Sequence, residues 1–374
     1  MGGAEAKMMD LAAADVFESK ICLFAHGKLE TQLQEKQLDY SVVPMPQVIH
    51  SFRKDDGFYN AIKLLPTASK FVKNIAIEAA KFDIVVAMSQ KAFMLSAMAR
   101  PLFRKPLIWF MNDLVSTDYF SAFTIRLMTT TARFGASHVI LNSQSSHSAW
   151  LEYGGKASQS SVLYSGVDET KFDQTDSFEQ STQLLKKSLS KDGFPIVGIF
   201  GRISSWKGQH VFLKALSKVE KVQGVVVGDA QFGEDEYKQS LFNLSKELNL
   251  ESKVTFLGHK TDIVPYMKAC DIIVHCSTLA EPFGRVIVEG NMAKKIVIAA
   301  DAGGPAEIVN HNSTGYLYPP GDYHELSRFI KLCLTHEKTT AVTMQETGYQ
   351  RAVQYFSSTA LINGFVKVAR KLNK

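Results

Sequence analysis

The stretch PIVGIFGRISSWKGQHVFLKAL, residues 195–216, joins a short apolar run, a loop and an amphipathic segment. The run Ile196–Phe200 has the length and the β-branched composition of a buried strand. After Gly201 the loop carries two cations, Arg202 and Lys207, and the next segment has helical spacing. A strand that leads through a short loop into a helix is the repeating unit of parallel α/β sheets. The stretch therefore predicts an α/β fold with two cations in a strand-to-helix loop.

The same alternation runs along most of the chain and occurs in two series. The polar, weakly patterned residues near 166–192 separate the two series. We therefore expect two doubly wound, Rossmann-like domains, one over residues 1–168 and one over residues 192–355. The predicted strands are 21–25, 40–43, 84–88, 107–110, 138–142, 195–201, 224–228, 253–257, 272–275 and 296–299.

Composition and charge limit the classes of protein that the sequence can encode. The chain has 374 residues, of which 45% are hydrophobic and 21% charged, and its net charge is +5. These values are typical of a globular protein with two domains. The apolar runs have strand length, far below the roughly 20 residues that cross a bilayer, and no charged-then-apolar leader is visible. The four cysteines lack CxxC spacing and are expected to be free thiols, so we expect a cytoplasmic protein.

Basic residues are concentrated between positions 61 and 105. Eight Lys and Arg residues occur there with only two acidic residues. Two interpretations stay open: a solvated helix face, or peripheral contact with an anionic surface such as the inner face of a membrane.

Two carboxylates, Glu281 and Glu289, bracket the segment EPFGRVIVE, which follows a predicted strand. If a helix begins near Phe283, its unpaired N–H groups and positive dipole end favour an anion. Carboxylates would repel a phosphate, but they accept hydrogen bonds from hydroxyl groups. The segment therefore indicates a ligand with hydroxyls and a diphosphate, such as a nucleotide sugar. A helix cap with one surface glutamate is the alternative.

The loop after the strand 195–201 favours a phosphate site and argues against two common classes of nucleotide-binding site. Two cations beside a strand-to-helix loop suit a phosphate or diphosphate, although solvated surface charges would give the same pattern. The loop has neither GxxxxGK[ST] nor GxGxxG, so a P-loop enzyme and a nicotinamide enzyme lose support.

Taken in order, these segments resemble a retaining family-4 glycosyltransferase of the GT-B fold. The resemblance spans nearly the whole chain and implies two Rossmann-like domains that face a cleft. The segments that carry it are GGAE at 2–5, YSGVD at 164–168, GRISSWKG at 201–208, VVVGDA at 225–230, VTFLGH at 254–259, EPFGRVIVE at 281–289, AGGPAEIV at 302–309 and STGYLYPPGD at 313–322.

The resemblance also implies roles for single residues. Arg202 and Lys207 would hold the donor diphosphate and, with Glu281 on the transferred sugar, form the catalytic set. Glu289 would bind the ribose hydroxyls. Charge on the leaving diphosphate would then be stabilised by the protein, so no metal and no other cofactor is expected. The donor-binding residues implied are Gly3, Gly201, His259, Phe283, Gly284, Arg285, Val286 and Glu289.

The acceptor side departs from the family pattern. Asn112 and Asp113 stand where many relatives carry His-Asp, and neutral Asn112 cannot act as an acid or base near neutral pH. It can still hydrogen-bond an acceptor or a sugar.

The two ends of the chain give further expectations. Relatives place a strand directly before the Gly2-Gly3 loop, so the first sheet is expected to lack its first strand. The C-terminal helix, 357–374, is expected to return to the first domain.

The sequence thus predicts a metal-independent, retaining glycosyltransferase that binds no nucleic acid. It would move a sugar from a nucleotide sugar, with a UDP-sugar favoured, to a glycan, lipid-linked or small-molecule acceptor. The alternatives are a nucleotide-sugar epimerase or hydrolase of the same fold, and a non-catalytic nucleotide-sugar binder.

Overall fold

A computed structural model describes residues 3–50, 57–173, 176–231 and 233–373. These residues divide into two compact units. The first unit contains the chain up to Leu163 together with the residues from Leu361 onward, and the second unit is Tyr164–Ala360.

The boundaries of the units differ slightly from the predicted ones, because residues 164–168 and 357–360 belong to the second unit. A parallel bridge joins Val167 to Ser357 there. The Val167 N–H donates to the carbonyl of Phe356, and the Ser358 N–H donates to the carbonyl of Val167, both at 2.9 Å. Residues that the sequence left between the domains form a 3-10 helix, Glu169–Phe172, and a helix, Asp176–Leu189, of the same unit.

The strands of the first unit form two parallel sheets rather than one. Strand β1 (Ile21–Leu23) pairs with β2 (Tyr40–Val42). A four-stranded sheet has the order β3-β4-β5-β6. The described residues hold no strand before the first helix, which begins at Gly3. The strands of the larger sheet are β3 (Val85–Ala87), β4 (Leu107–Met111), β5 (His138–Leu141) and β6 (Ser160–Val162).

Helices cover both faces of this four-stranded sheet. Alternate residues of β4 point to opposite faces, so Trp109 stacks on Phe93 with ring centroids 4.2 Å apart, while Phe110 packs against Phe365 of the C-terminal helix. That helix therefore packs on the first unit, as expected. The helices of the first unit are α1 (Gly3–Ala12), α2 (Lys28–Glu35), α3 (Gln47–His50), α4 (Gly57–Ala79), α5 (Gln90–Phe103), α6 (Ala122–Gly135), α7 (Gln144–Glu152) and, from Leu361 onward, the C-terminal α16 (Ser358–Leu372).

The second unit contains one six-stranded parallel sheet with the order β12-β11-β10-β7-β8-β9. The chain runs outward from β7 to β9 and then continues on the other side of β7 with β10. Ligands of such sheets bind outside the carboxyl ends of the strands where the order reverses, here between β7 and β10. The strands are β7 (Ile196–Phe200), β8 (Gln223–Val227), β9 (Val254–Gly258), β10 (Ile272–His275), β11 (Ile296–Ala300) and β12 (Tyr316–Tyr318).

Two hydrophobic clusters cover the two faces of this sheet. One contains Phe212 and Leu241, and the other contains Ile287 and Phe356. The unit is therefore doubly wound, as predicted. Its helices are α8 (Asp176–Leu189), α9 (Gln209–Leu216), α10 (Asp235–Glu247), α11 (Val264–Ala269), α12 (Arg285–Met292), α13 (Pro305–Ile308), α14 (Tyr323–Leu334) and α15 (Lys338–Phe356).

Two expectations from composition, on membrane-spanning segments and on the cysteines, can be compared with the described residues. Within these ranges, no helix has the length and apolar character needed to span a bilayer. The cysteines are free thiols, of which Cys22 is exposed and the other three are buried.

Candidate active site

The candidate site lies where the loops after β7, β10 and β11 meet at the carboxyl edge of the second sheet. Gly208, at the end of the first loop, has φ 69°, and a Cβ there would lie 1.9 Å from the carbonyl oxygen of Cys276. Gly303, in the third loop, has φ 79°, and its Cβ would lie 2.3 Å from the carbonyl oxygen of Glu281. Glycine alone permits such approaches at positive φ. These two glycines therefore bring the three loops into direct contact.

An ion pair between Lys207 and Glu281 occupies the junction of the first two loops. The Lys207 Nζ donates to Oε1 of Glu281 at 2.7 Å and to Oε2 at 2.6 Å. The exposed fractions of the two side chains are 22% and 11%. The ammonium also lies 4.2 Å from the ring centroid of Trp206, a cation–π contact. The structure thus joins two residues that the sequence assigned to separate parts of a donor.

Two neighbours of Glu281 were not predicted from the sequence. The Ser277 hydroxyl donates to Oε2 of Glu281 at 2.8 Å, and Nε2 of His275 lies 3.2 Å from the same oxygen. His275 and Ser277 also contact each other at 3.0 Å. The only signal for them is their position, since both stand where β10 ends. Together they fix the orientation of the Glu281 carboxylate.

The electrostatics of this cluster keep Glu281 ionised. Burial raises the pKa of the Glu281 carboxyl group. The Lys207 charge and the hydrogen bond from His275 lower that pKa by more than burial raises it, and they hold it well below its usual range. A carboxylate held in this state accepts hydrogen bonds and does not supply a proton near neutral pH. Glu281 is therefore suited to position hydroxyl groups rather than to act as a general acid.

The helix of the EPFGRVIVE segment begins at Arg285, so its predicted start near Phe283 is wrong. Gly284 has φ 99°, a left-handed conformation that a right-handed helix cannot include. Glu289 therefore lies just over one turn into α12, instead of about two. The Arg285 Nε donates to Oε1 of Glu289 at 2.8 Å, and its Nη1 donates to the Gly166 carbonyl at 3.1 Å. The Arg285 side chain thus links Glu289, the residue predicted to bind the ribose, to the YSGVD segment.

Two predicted donor-binding residues in this segment contribute their side chains to the core. The buried Phe283 ring lies 6.1 Å from the ring of Tyr164 and 5.8 Å from that of Phe356, between centroids. Val286 is partly buried against the same cluster. The predicted role of this stretch, which falls on backbone N–H groups near 283–285, stays a prediction.

The other predicted residues of the second unit lie at the same edge of the sheet. Gly201 follows β7 with φ 131°, and a Cβ there would meet no atom within 4 Å. Arg202 is half-buried, and its carbonyl accepts a hydrogen bond from the Gln209 side chain at 3.0 Å. His259 directly follows β9 and is exposed. Their roles toward a donor stay predictions.

Asn112, which follows β4 in the first unit, is engaged on both sides of its amide. Its Oδ1 accepts from the Lys7 Nζ at 2.8 Å, and its Nδ2 donates to the Met88 carbonyl at 2.9 Å. Lys7 is buried, with an exposed fraction of 1%, and it was not predicted as a site residue. Asp113 is exposed. The proposed contact of Asn112 and Asp113 with an acceptor stays a prediction.

Gly3 is the first residue of α1 and is exposed. Gly2, its partner in the predicted loop, lies outside the described residues.

Replacing Gly208 by alanine is expected to destabilise the second unit. Positive φ alone costs a non-glycine residue about 1–2 kcal/mol, and the collision with the Cys276 carbonyl adds strain that rigid backbone cannot relieve. We expect a loss of at least about 2 kcal/mol in the free energy of unfolding, measured by urea denaturation. Gly193→Ala is the matched control, because Gly193 has φ 73° but no atom within 4 Å of its Cβ position. Equal losses in the two variants would show that the loops are not in contact.

Comparison with known proteins identifies the family. Residues 180–351 match the family model described as Glycosyl transferases group 1. The chain is 25% identical over 174 residues to the lipopolysaccharide core biosynthesis glycosyltransferase LpsE of Rhizobium meliloti, covering 46% of this chain and 49% of that protein. It is 34% identical over 140 residues to LpsD of the same organism, covering 37% and 39%. The chain thus spans half or less of the length of these relatives.

A solved structure matches over nearly the full length. Anabaena Alr3699/HepE in complex with UDP and glucose has a TM-score of 0.88 and 33% sequence identity, covering 99% of this chain and 96% of that chain. The same protein in complex with UDP-glucose has a TM-score of 0.87 at 32% identity, covering 100% and 97%. The GT-B fold expected from the sequence is confirmed by these matches. The chain belongs to the glycosyl transferases group 1 family.

Proposed function

We propose that the protein is a metal-independent, retaining glycosyltransferase whose donor is a UDP-sugar. The acceptor class is a glycan, a lipid-linked sugar or a small molecule. The observation that carries the proposal is the Lys207–Glu281 pair, which sets a cation and a hydroxyl acceptor side by side at the carboxyl edge of the sheet.

Lys207 supplies positive charge to the departing nucleoside diphosphate. When the bond between the sugar and the diphosphate breaks, negative charge grows on the leaving oxygen. An ammonium has three N–H donors, so Lys207 can contact a phosphate oxygen while it remains near Glu281. Arg202, in the same loop, and the first turn of α12 add further positive potential. Protein cations thereby replace the divalent metal that many phosphate sites use.

Glu281 positions the transferred sugar in this proposal. Its carboxylate is ionised and held in one orientation by Ser277 and His275. Such an acceptor can take hydrogen bonds from sugar hydroxyls, and these bonds fix the sugar relative to the diphosphate. Glu289, held by Arg285, would accept from the ribose hydroxyls in the same way.

The relatives support the choice of substrates. HepE has been crystallised with UDP-glucose, which favours a UDP-sugar as donor here. LpsE and LpsD are named for lipopolysaccharide core biosynthesis, which favours a glycan or lipid-linked acceptor. Contact of the basic segment 61–105 with a membrane stays a prediction.

The proposal is tested by binding and transfer in excess EDTA. UDP-glucose at about 100 times its dissociation constant should stabilise the protein by roughly 2.7 kcal/mol in a thermal-shift assay, whereas GDP- and ADP-sugars should not. Labelled sugar should move to a glycan or glycolipid acceptor with its anomeric configuration kept, as read by NMR. Loss of transfer in EDTA with recovery on adding Mg²⁺ would refute metal independence.

Incubation of the donor alone separates the alternatives. An epimerase would convert the sugar, and a hydrolase would release it, without any acceptor. A non-catalytic binder would be stabilised by the donor yet transfer nothing to any acceptor offered.

A further inference from the structure

The side-chain amide of Asn112 is held in one orientation by groups with a fixed hydrogen-bonding character. Its Oδ1 accepts from the Lys7 Nζ at 2.8 Å, and its Nδ2 donates to the carbonyls of Met88 at 2.9 Å and Phe110 at 3.4 Å. A lysine ammonium only donates, and a backbone carbonyl only accepts. A flipped amide would set its nitrogen against the ammonium and its oxygen against the two carbonyls. The places of the oxygen and the nitrogen are therefore unambiguous.

This orientation decides what Asn112 can offer to a ligand. The amide nitrogen has two N–H donors, and both of its partners are carbonyls of the fold. The amide oxygen can accept two hydrogen bonds, and within the described residues it accepts only from Lys7. Asn112 is half-buried at the end of β4. Its side chain can therefore accept a hydrogen bond from a ligand, whereas its N–H groups are directed at the fold.

A second amide oxygen stands at the end of the neighbouring strand. Asn142 follows β5, which pairs with β4, and its Nδ2 donates to the backbone carbonyl of Asn112 at 3.1 Å. Asn142 has an exposed fraction of 5%, and its Oδ1 meets no donor among the described residues. Buried polar atoms are normally hydrogen-bonded. The carboxyl edge of the first sheet thus presents two amide oxygens, both of which match a hydrogen-bond donor.

Lys7 of α1 is the residue that imposes the orientation of the Asn112 amide. Its ammonium, 5.1 Å from the centroid of the Phe110 ring, can only donate. Lys7→Gln would introduce a group that donates or accepts, and Lys7→Met one that cannot donate, so neither would fix the amide. Because the exposed fraction of Lys7 is 1%, its side chain is too enclosed to meet a substrate. Any effect of Lys7 on a substrate therefore passes through Asn112.

We propose that Lys7 is a positioning residue, which sets Asn112 as a hydrogen-bond acceptor for a hydroxyl group of the glycosyl acceptor. The inference rests on the proposed transfer reaction and adds a preference to it. A sugar hydroxyl can donate to Oδ1 of Asn112, whereas a carboxylate or a fully ionised phosphate has no proton to donate. The two amide oxygens therefore favour a neutral, hydroxyl-bearing part of the acceptor at this edge of the first sheet.

NMR of the full chain labelled with ¹⁵N-asparagine tests the positioning without a substrate. Asn112→Leu identifies the Asn112 side-chain signal by its disappearance. In Lys7→Met and Lys7→Gln, the Nδ2 protons of Asn112 should exchange with water at least about tenfold faster than in the wild type, because the amide is no longer fixed. Lys7→Arg retains a group that only donates and should keep exchange slow. Unchanged exchange in both Lys7→Met and Lys7→Gln would overturn the positioning.

Transfer rates test what the positioning does for the reaction. The probes are UDP-glucose as donor and the methyl glycosides of glucose, galactose and mannose as acceptors. Lys7→Met and Asn112→Leu should each lower kcat/KM for the acceptor by about tenfold, the value of one hydrogen bond. The double variant should be no slower than Asn112→Leu, since Lys7 acts through Asn112. Additive losses would contradict this. An equal loss in the hydrolysis of UDP-glucose by water would place the hydroxyl on the donor and overturn the assignment to the acceptor.

A matched variant separates positioning from a merely structural role. Thr129 is also buried in the first unit, and its Oγ1 donates to the Ile125 carbonyl at 3.0 Å. Thr129→Val should lower the melting temperature without changing kcat/KM. If Lys7→Met behaves in the same way, its role is structural and the inference is wrong. Absence of transfer by the wild type would count against the proposed function, whereas normal transfer by Lys7→Met would count against this inference alone.

Discussion

Replacing Lys207 by methionine is expected to weaken nucleoside diphosphate binding and donor turnover by roughly tenfold to a hundredfold, the equivalent of one charge-assisted hydrogen bond. The same change should lower the free energy of unfolding by about 3 kcal/mol, since it leaves a buried carboxylate without its partner. Methionine keeps most of the length and the apolar stem of lysine, so the substitution chiefly removes the positive charge and its hydrogen bonds.

The pH dependence of this variant follows from the lowered pKa of Glu281. A carboxyl group whose pKa is lower in the folded state stabilises the fold above its unfolded pKa and loses that contribution as the pH falls. Without Lys207, burial is opposed only by the hydrogen bonds from His275 and Ser277, so the folded pKa of Glu281 should rise. The stability difference between wild type and variant should therefore be largest near neutral pH and shrink in acid.

Urea denaturation at neutral and acid pH measures this difference, and calorimetry measures UDP binding. The matched control is Lys294→Met. The Lys294 Nζ lies 2.8 Å from Oε2 of Glu346, but these two side chains are 52% and 46% exposed. Removing an exposed pair should cost less than about 1 kcal/mol. If Lys207→Met is as stable as Lys294→Met at neutral pH, the buried pair does not contribute as described.

The strands of both units were largely predictable from the sequence. Apolar runs such as β4 and β7 are buried along their whole length in parallel sheets covered on both faces, which demand such runs. All ten predicted strands are present, and no end is shifted by more than two residues. Strands β6 and β12 were missed because SSV and YLY are too short, and in one case too polar, to form a recognisable run.

The contacts of the site were much less predictable than its residues. Lys207 and Glu281 stand in suggestive loops, but they are 74 residues apart in the chain. They meet because β7 pairs with β10, and local sequence patterns do not encode strand order. For the same reason the AGGPAEIV glycines indicate a tight loop without revealing that it packs on Glu281. His275 resembles any strand-end residue, so its bond to Glu281 has no sequence signal.

Replacing Glu281 by glutamine is expected to separate donor turnover from nucleotide binding. Lys207 donates to both carboxylate oxygens of Glu281, and Oε2 also accepts from Ser277 and from His275 when its Nε2 is protonated. A side-chain amide has one accepting oxygen and a nitrogen that only donates, so it cannot satisfy all of these donors. Turnover should fall by roughly tenfold to a hundredfold. Affinity for UDP should stay unchanged or rise, because the carboxylate that neutralises Lys207 and repels phosphate is gone.

Replacing Glu289 by glutamine should act differently. Glu289 is paired with Arg285 in α12 and is proposed to face the ribose, which is present in UDP and in the donor alike. Its loss should therefore weaken both ligands by a similar factor, roughly tenfold, the value of a hydrogen bond to a charged group. Calorimetry with UDP and initial rates with UDP-glucose give the two readouts for each variant. Weaker UDP binding in Glu281→Gln, by as much as in Glu289→Gln, would show that both acids contact the nucleotide and would remove Glu281 from the sugar.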